Sequence, residues 1–152
     1  MNRDLTPSTS EDGPYRSIFE AASDGLVIYD IGLDCIVEAN PAACRMHGYT
    51  REEFIGLNPA VLMSAENHAQ FKEQAQTAKA GSAFEAFLLH LRRDGSAFHV
   101  EVRRSMILYR DTPCLLSIIR DVSQRIQTEK NLDARIHPPG IHRVKPYRLY
   151  AY

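Results

Sequence analysis

Residues 84–121, FEAFLLHLRRDGSAFHVEVRRSMILYRDTPCLLSIIRD, constrain this chain more than any other stretch. They read as three consecutive antiparallel strands. Asp94-Gly95 stands between two apolar runs, a strong hairpin signal because a type I′ turn needs positive φ at both central residues. With those two residues as the loop, Arg93 opposes Ser96. Counting back puts Leu91 opposite Phe98, Leu89 opposite Val100 and Phe87 opposite Val102, which makes one continuous apolar face. The other face then carries Leu88 with Glu101, His90 with His99 and Ala86 with Arg103. A second reversal at Arg110-Asp111, ahead of Thr112-Pro113, returns a third strand through Leu115, Leu116, Ile118 and Ile119. Such a meander needs a covering layer on its apolar face, and the preceding residues must supply it.

Those residues are well punctuated. Residues 1–13 hold one sizeable apolar side chain, Leu5, and are expected to be disordered. Pro14 suits the first turn of a helix, and Tyr15, Ile18, Phe19 and Ala22 follow at helical spacing up to Asp24-Gly25. Two short strands come next, 26–30 and 35–39. Asn40 before Pro41 is a good N-cap, and Gly48 suits the left-handed stop of that helix. Thr50-Arg51-Glu52-Glu53 has the form of a capping box, with Tyr49 and Phe54 placed as a hydrophobic staple and Gly56 as the end. Ser64 is expected to cap a longer helix to about residue 80, with Gly81 as its stop and Ala65, Phe71, Ala75 and Ala78 as its stripe. His68 lies on the same stripe. After the meander, Ser123 can cap a last helix, SQRIQTEKNLDARI, whose seam of Val122, Ile126, Leu132 and Ile136 is thin. His137-Pro138-Pro139-Gly140 ends it. The tail that follows is basic and aromatic.

This order predicts an α+β domain over residues 14–123: one five-stranded antiparallel sheet, the middle helices on one face, a linker helix at 124–136 and a tail at 137–152. The totals agree. A chain of 152 residues with net charge −1 fits one domain and gives no electrostatic reason to expect nucleic acid or a membrane surface as partner. Cys35, Cys44 and Cys114 are sparse and odd in number, which points to reduced thiols and, with no apolar leader or membrane-length run, to a cytoplasmic setting.

Four segments, ASDGLVIYD, EANPAACRMHGYTREEFIG, LRRDGSAFHVEV and SIIRDVSQRIQTEK, resemble the PAS domain family in order and spacing over residues 14–132. PAS domains are sensory modules of bacterial signalling proteins, and Asp121-Val122-Ser123 resembles the junction where many pass into a signalling helix. The resemblance implies a role in sensing a small ligand or pairing with another chain. About 30 residues follow the domain, too few for an effector, so the signal is expected to leave through other signalling proteins or self-association. A homodimer through Tyr15, Ile18, Phe19 and the C-terminal helix is the expectation. The rival reading is a constitutive docking module whose core is already filled by Phe87, Leu89, Leu91, Phe98, Val100, Val102 and Met106.

The resemblance also places His68 where haem-binding PAS domains carry their iron ligand; a core histidine is the favoured reading, haem the lesser one. His68, Phe71, Phe87, Leu89, Phe98 and Val100 are the expected pocket residues. Glu85 and Arg104 pair in the register above and line its entrance, or else form a structural ion pair at the sheet margin. His90 and His99, facing each other without a third ligand, read as a solvated pair rather than a metal site. Cys44 follows Ala43 on a different helix from the flavin-bonding cysteine of photosensor PAS domains, and its surroundings lack that motif, so cysteinyl-flavin chemistry is not expected. No phosphate loop, zinc motif or nucleophile elbow is present, and the chain is not expected to be an enzyme.

Overall fold

A computed structural model describes residues 12–77 and 83–136 of the chain. In order they form helix α1 (Asp12–Ala21), strands β1 (Gly25–Asp30) and β2 (Cys35–Ala39), helices α2 (Pro41–His47) and α3 (Arg51–Phe54), a 3₁₀ turn (Pro59–Leu62) and helix α4 (Ala65–Thr77). Strands β3 (Ala83–Leu91), β4 (Ala97–Tyr109) and β5 (Thr112–Asp121) follow, then helix α5 (Ser123–Ile136). The expectations for the first 11 residues, for Ala78 and Gly81 at the end of α4, and for the tail from residue 137 lie outside the described residues.

The five strands make one antiparallel sheet in the order β2-β1-β5-β4-β3, so the chain's two hairpins join through the β1–β5 pair. The α+β architecture follows the sequence expectation. Its inner face packs under α2, α3, the 3₁₀ turn and α4 as two adjoining clusters. One holds Val27, Ile36, Ala43, Phe54, Leu62, Leu88, Phe98, Val100, Val102 and Ile119; the other holds Tyr29, Met63, Phe71, Ala75 and Leu115.

The anticipated caps are present. Thr50 accepts from the Glu53 amide at 3.2 Å while Glu53 accepts from the Thr50 amide at 3.0 Å, a complete capping box, and Tyr49 meets Phe54 edge to face at 5.4 Å. Gly48 closes α2 in the left-handed region at φ 78°. Asn40 does more than cap α2. It is fully buried, its Oδ1 accepts from the amides of Ala43 (2.9 Å) and Leu26 (2.8 Å), and its Nδ2 donates to the carbonyls of Phe19 (3.0 Å) and Asp24 (2.9 Å). Helix α4 departs from expectation at its start: Ser64 meets the Asn67 side-chain amide at 3.2 Å, Ala65 is exposed, and the buried row is Asn67, Phe71 and Ala75.

The β3–β4 register differs by one residue from the expected one. Arg92 donates to the Ser96 carbonyl (2.8 Å), Gly95 donates to the Arg92 carbonyl (2.9 Å), and Gly95 alone in this loop has positive φ, at 84°. The connection is therefore a three-residue loop, a type I turn with Gly95 as the bulge residue, rather than a two-residue type I′ turn. Asp94 stabilises it by accepting from the Ser96 amide (2.9 Å) and hydroxyl (2.6 Å). The extra residue pairs Leu91 with Ala97, His90 with Phe98, Leu88 with Val100 and Ala86 with Val102. Every β3 side chain changes face. Leu88 and His90 are buried inside, while Phe87, Leu89 and Leu91 stand half-buried on the outer side and Glu85 is exposed. The inward positions on β4 (Phe98, Val100, Val102) stand as expected. The type I′ turn does occur, one hairpin later: Arg110 and Asp111 have φ of 50° and 62° between the paired Tyr109 and Thr112.

Helix α5 leaves the sheet without slack. Val122 donates to the His99 carbonyl (3.0 Å), and the Ser123 hydroxyl accepts from the His99 amide (3.2 Å). Ile126 is buried, whereas Leu132 and Ile136 are exposed. On α1, Phe19 is buried and stacked at 6.0 Å on Tyr15, so it belongs to the fold rather than to a free surface, and Ile18 stands 72% exposed.

Two cap variants are expected to separate in urea unfolding. Thr50→Ala should cost about 1 kcal/mol, the ordinary value of an N-cap. Asn40→Ala strands two amides and two carbonyls at once and should cost about 3 kcal/mol or more. Equal midpoint shifts in the two variants would show that Asn40 acts only as a cap.

Candidate functional site

The interior between the sheet and its helices holds three basic side chains that the apolar pattern does not anticipate. His90, from β3, is 2% exposed; Arg104, from β4, is 4% exposed; His47, at the end of α2, is fully buried. The turn geometry of the β3–β4 loop places His90 here, and the same loop touches α2 directly, since the Arg93 amide donates to the His47 carbonyl at 2.9 Å. His90 is also stitched to the 3₁₀ turn by a β-bridge with Met63.

The two imidazoles form a directed chain. His47 Nδ1 lies 2.8 Å from the Ala43 carbonyl oxygen, which only accepts, so this nitrogen carries the hydrogen. In the neutral ring, His47 Nε2 must then accept, and it does so from His90 Nδ1 at 3.0 Å. His90 Nε2 is left as a lone pair with no partner among the described residues. Burial holds His47 down at about 4, from an ordinary 6.5, with Arg92 pushing the same way and the Ala43 carbonyl and Asp121 opposing. His90 lies well below its ordinary value, because of burial first and then the nearby His47 and Arg104. Both rings are neutral at pH 7.

Arg104 is a buried guanidinium with little to satisfy it. Its Nη1 donates to Gln74 Oε1 (2.7 Å), its plane lies over Phe71 (5.0 Å) and Phe84 (5.6 Å), and its Nε–H has no partner among the described residues. Burial draws its pKa down to about 10. Glu85, its expected partner, instead lies on the outer face 3.6 Å from Arg103.

His90 and Arg104 line one small cavity of about 20 Å³, with Tyr29, Met63, Phe71 and Ser117 also in its wall. It sits where the two core clusters meet. Tyr29 and Phe71, at 5.3 Å, form a partition: both also line an outer vestibule of about 350 Å³ that contains Asp34, Asn58, His68 and Lys72. Tyr29 is held by its hydroxyl, which donates to Asp34 at 2.5 Å.

Of the expected pocket residues, Phe98, Val100, Phe71 and Arg104 face inward, and His68 lines the vestibule. Phe87, Leu89 and Glu85 lie on the opposite face. His90 and His99 are separated by the sheet: His99 pairs with Leu89 on the outer side. His68 Nε2 lies 2.7 Å and 3.1 Å from the carbonyls of Ala60 and Met63, which commits it as a donor. As arranged, His68 does not fit a haem ligand through this nitrogen, which is held by two main-chain carbonyls and presents no lone pair to an iron. Cys44 lines a separate surface groove under α1, and burial raises its thiol pKa. His47 was not singled out from sequence, although its spacing of four from Ala43 puts it on the buried side of α2.

The neutral pair gives the fold a pH dependence of definite sign. An imidazole with a depressed folded pKa binds fewer protons than the unfolded chain, so its contribution is complete above pH 6.5 and is lost as pH falls towards 4. The loss from His47 is about 3 kcal/mol. Urea midpoints should fall between pH 7.5 and 4.5, and fall less in a His47→Leu/His90→Leu variant; equal falls would show that the pair is not the source.

Comparison with known proteins bears on this arrangement. A family model described as the PAS fold matches residues 13–122. The chain is 28% identical over 123 residues to a nitrogen fixation regulatory protein of Klebsiella oxytoca, a match that covers 79% of this chain but only 25% of that protein. Among solved structures, it is similar to a domain of a sensory box sensor histidine kinase/response regulator from Geobacter sulfurreducens (30% identity, TM-score 0.61, covering 72% of this chain and 93% of that one). It is also similar to the PAS domain of an HTR-like protein from Haloarcula marismortui (25% identity, TM-score 0.63, covering 72% and 96%). Among the described residues no helix is long and apolar enough to cross a membrane. With the five-stranded sheet, its helical cover and this match over most of its length, the chain belongs to the PAS fold family, the sensory and signalling modules of regulatory proteins.

Proposed function

We propose that the chain is a cytoplasmic ligand-sensing module that works by binding rather than catalysis, and that the ligand lies between α4, the 3₁₀ turn and the inner face of the sheet. One observation carries this reading: His90 and Arg104, two nearly fully buried polar side chains that line one cavity, each hold a nitrogen with no partner among the described residues. A buried donor or acceptor left unpaired costs about 1–3 kcal/mol, more when charged, and a module with no use for the cavity would be more stable with apolar residues there. Occupancy would redistribute the populations of two arrangements, and α5, hydrogen-bonded to β4, is the element through which a partner would read the change. Denaturing mass spectrometry of an organic extract of the purified protein, with a thermal-shift screen of small metabolites, tests this. A retained molecule, or a compound that raises the melting temperature in proportion to the logarithm of its concentration, is expected. Neither result in the wild-type protein would remove the reading.

A second reading concerns self-association. Tyr15 and Ile18 on α1, Leu108 at the β4–β5 turn, and Leu132 and Ile136 one turn apart on α5 are all exposed. A groove of about 1040 Å³, with Tyr15, Phe19, Leu108, Tyr109 and Leu116 in its wall, runs beside α1. We infer a second copy of this chain as its occupant, paired about a two-fold axis, the commonest closed solution for a patch that meets itself. Ile18→Glu should shift a micromolar dimer to monomer in sedimentation with the strand signal unchanged. Phe19→Glu is expected to unfold the protein instead. A wild-type monomer at every accessible concentration would end this reading.

A further inference from the structure

Among the described residues, nothing answers the charge on Arg104. The salt bridges there belong to Arg16, Arg51, Arg93, Arg103, Arg120 and Arg125. No carboxylate lines the small cavity in whose wall Arg104 stands, and burial alone draws its pKa down, with no anion opposing. Its contacts are neutral: Gln74 and the rings of Phe71 and Phe84. A second unsatisfied donor stands beside it on the same face. Ser117 is the cross-strand partner of Arg104 in the β4–β5 ladder, so their Cβ atoms lie about 5 Å apart. Ser117 is 8% exposed, lines the same cavity, and its hydroxyl makes no hydrogen bond to another described residue. The unpartnered Nε–H of Arg104 belongs to the part of the side chain nearest the backbone, which is the part Ser117 neighbours.

A space of about 20 Å³ bounds the answer tightly. It holds one water-sized particle, which excludes a carboxylic acid, a phosphate or a nucleotide. Water matches the volume and brings no charge. A single halide ion matches both, and it accepts from N–H and O–H donors in any direction. A guanidinium is weakly hydrated, so it suits an anion that also gives up its water readily, which favours chloride over fluoride. We propose that this cavity is a chloride site, with the ion held against Arg104 and Ser117 on the inner side of the β4–β5 ladder. His90, neutral in the same wall, adds no competing charge. Arg104 does not line the vestibule of about 350 Å³, so the ion is separate from any molecule bound there, and the site stands or falls independently of the ligand-sensing reading. Both anchors lie on inner strands of the sheet, and β5 runs directly into α5. Occupancy therefore ties together the strand pair from which that helix leaves.

Thermal unfolding of the full chain tests this, with chloride exchanged for gluconate at constant ionic strength so that screening stays fixed. The melting temperature is expected to rise by about 4 °C for each tenfold increase in chloride once the site fills. Bromide should act like chloride. Sulfate at equal ionic strength should do less, whereas general salt exclusion would make sulfate the stronger stabiliser. Arg104→Met removes the charge at similar volume and should melt at one temperature in chloride and in gluconate. Ser117→Ala keeps the charge and should need about tenfold more chloride for the same rise. Crystals of the wild type soaked in bromide should show an anomalous peak in contact with both side chains, a readout that does not depend on whether either variant folds. No chloride dependence in the wild type, a sulfate effect as large as that of chloride, a folded Arg104→Met that responds like the wild type, or bromide peaks confined to the surface would each overturn the inference and leave water in the cavity. An empty organic extract would remove the ligand-sensing reading and not this one.

Discussion

The fold hangs on one amide side chain. Asn40 stands at the junction of α1, β1, β2 and α2, and it satisfies four main-chain groups, one each from α1, the α1–β1 connection, β1 and α2, at distances of 2.8–3.0 Å. An isolated helix of seven residues such as α2 has no stability of its own, and the β1–β2 hairpin has little. Asn40 makes each a condition of the other. A buried amide can satisfy both donors and both acceptor lone pairs only in one arrangement of its surroundings, so it selects that arrangement over other compact packings of the same apolar residues. Gly25 shows how close the resulting approach is: a Cβ there would come within 3.1 Å of the Ala43 backbone.

The cavity is the complementary case, polar groups held where the fold does not complete their bonding. His47 and His90 satisfy one another along a single direction, and the sequence of donors and acceptors ends in an open lone pair. Arg104 is similar, held by Gln74 and two aromatic faces but with an Nε–H that has no partner among the described residues. Fully satisfied polar groups thus gather around Asn40, and incompletely bonded ones on β3 and β4.

Local chemistry carried most of the architecture, because it is written in short-range signals. Asn40-Pro41, Thr50 with Glu53, and Gly48 each specify a helix end within four residues, and all three act as their types suggest. The site was less legible for one geometric reason. Asp94-Gly95 admits both a two-residue and a three-residue loop, and the choice inverts β3. Phe87 and Leu89 look like core residues beside Leu88, and nothing in FEAFLLHL distinguishes the faces, since both are largely apolar. The discriminating cue lies elsewhere, in α2: His47 needs a buried partner for Nε2, and only the inverted strand offers His90. A polar pair drawn from residues 43 apart in sequence is invisible to any pattern of period 2 or 3.6.

The attachment of α5 has a mechanical consequence. Its first turn is pinned to His99, which lies between two core-facing neighbours, Phe98 and Val100, on the opposite side of the same strand. There is no hinge between the strand and the helix, so any tilt of β4 becomes a tilt of α5. The helix has 14 residues and is about 21 Å long. A rotation of about 5° at its base would carry its far end through about 2 Å, comparable with the helix shifts that proteins use as switches. A strand displacement too small to disturb the core is thereby enlarged where Leu132 and Ile136 stand exposed, so the lever is longest where another surface can feel it.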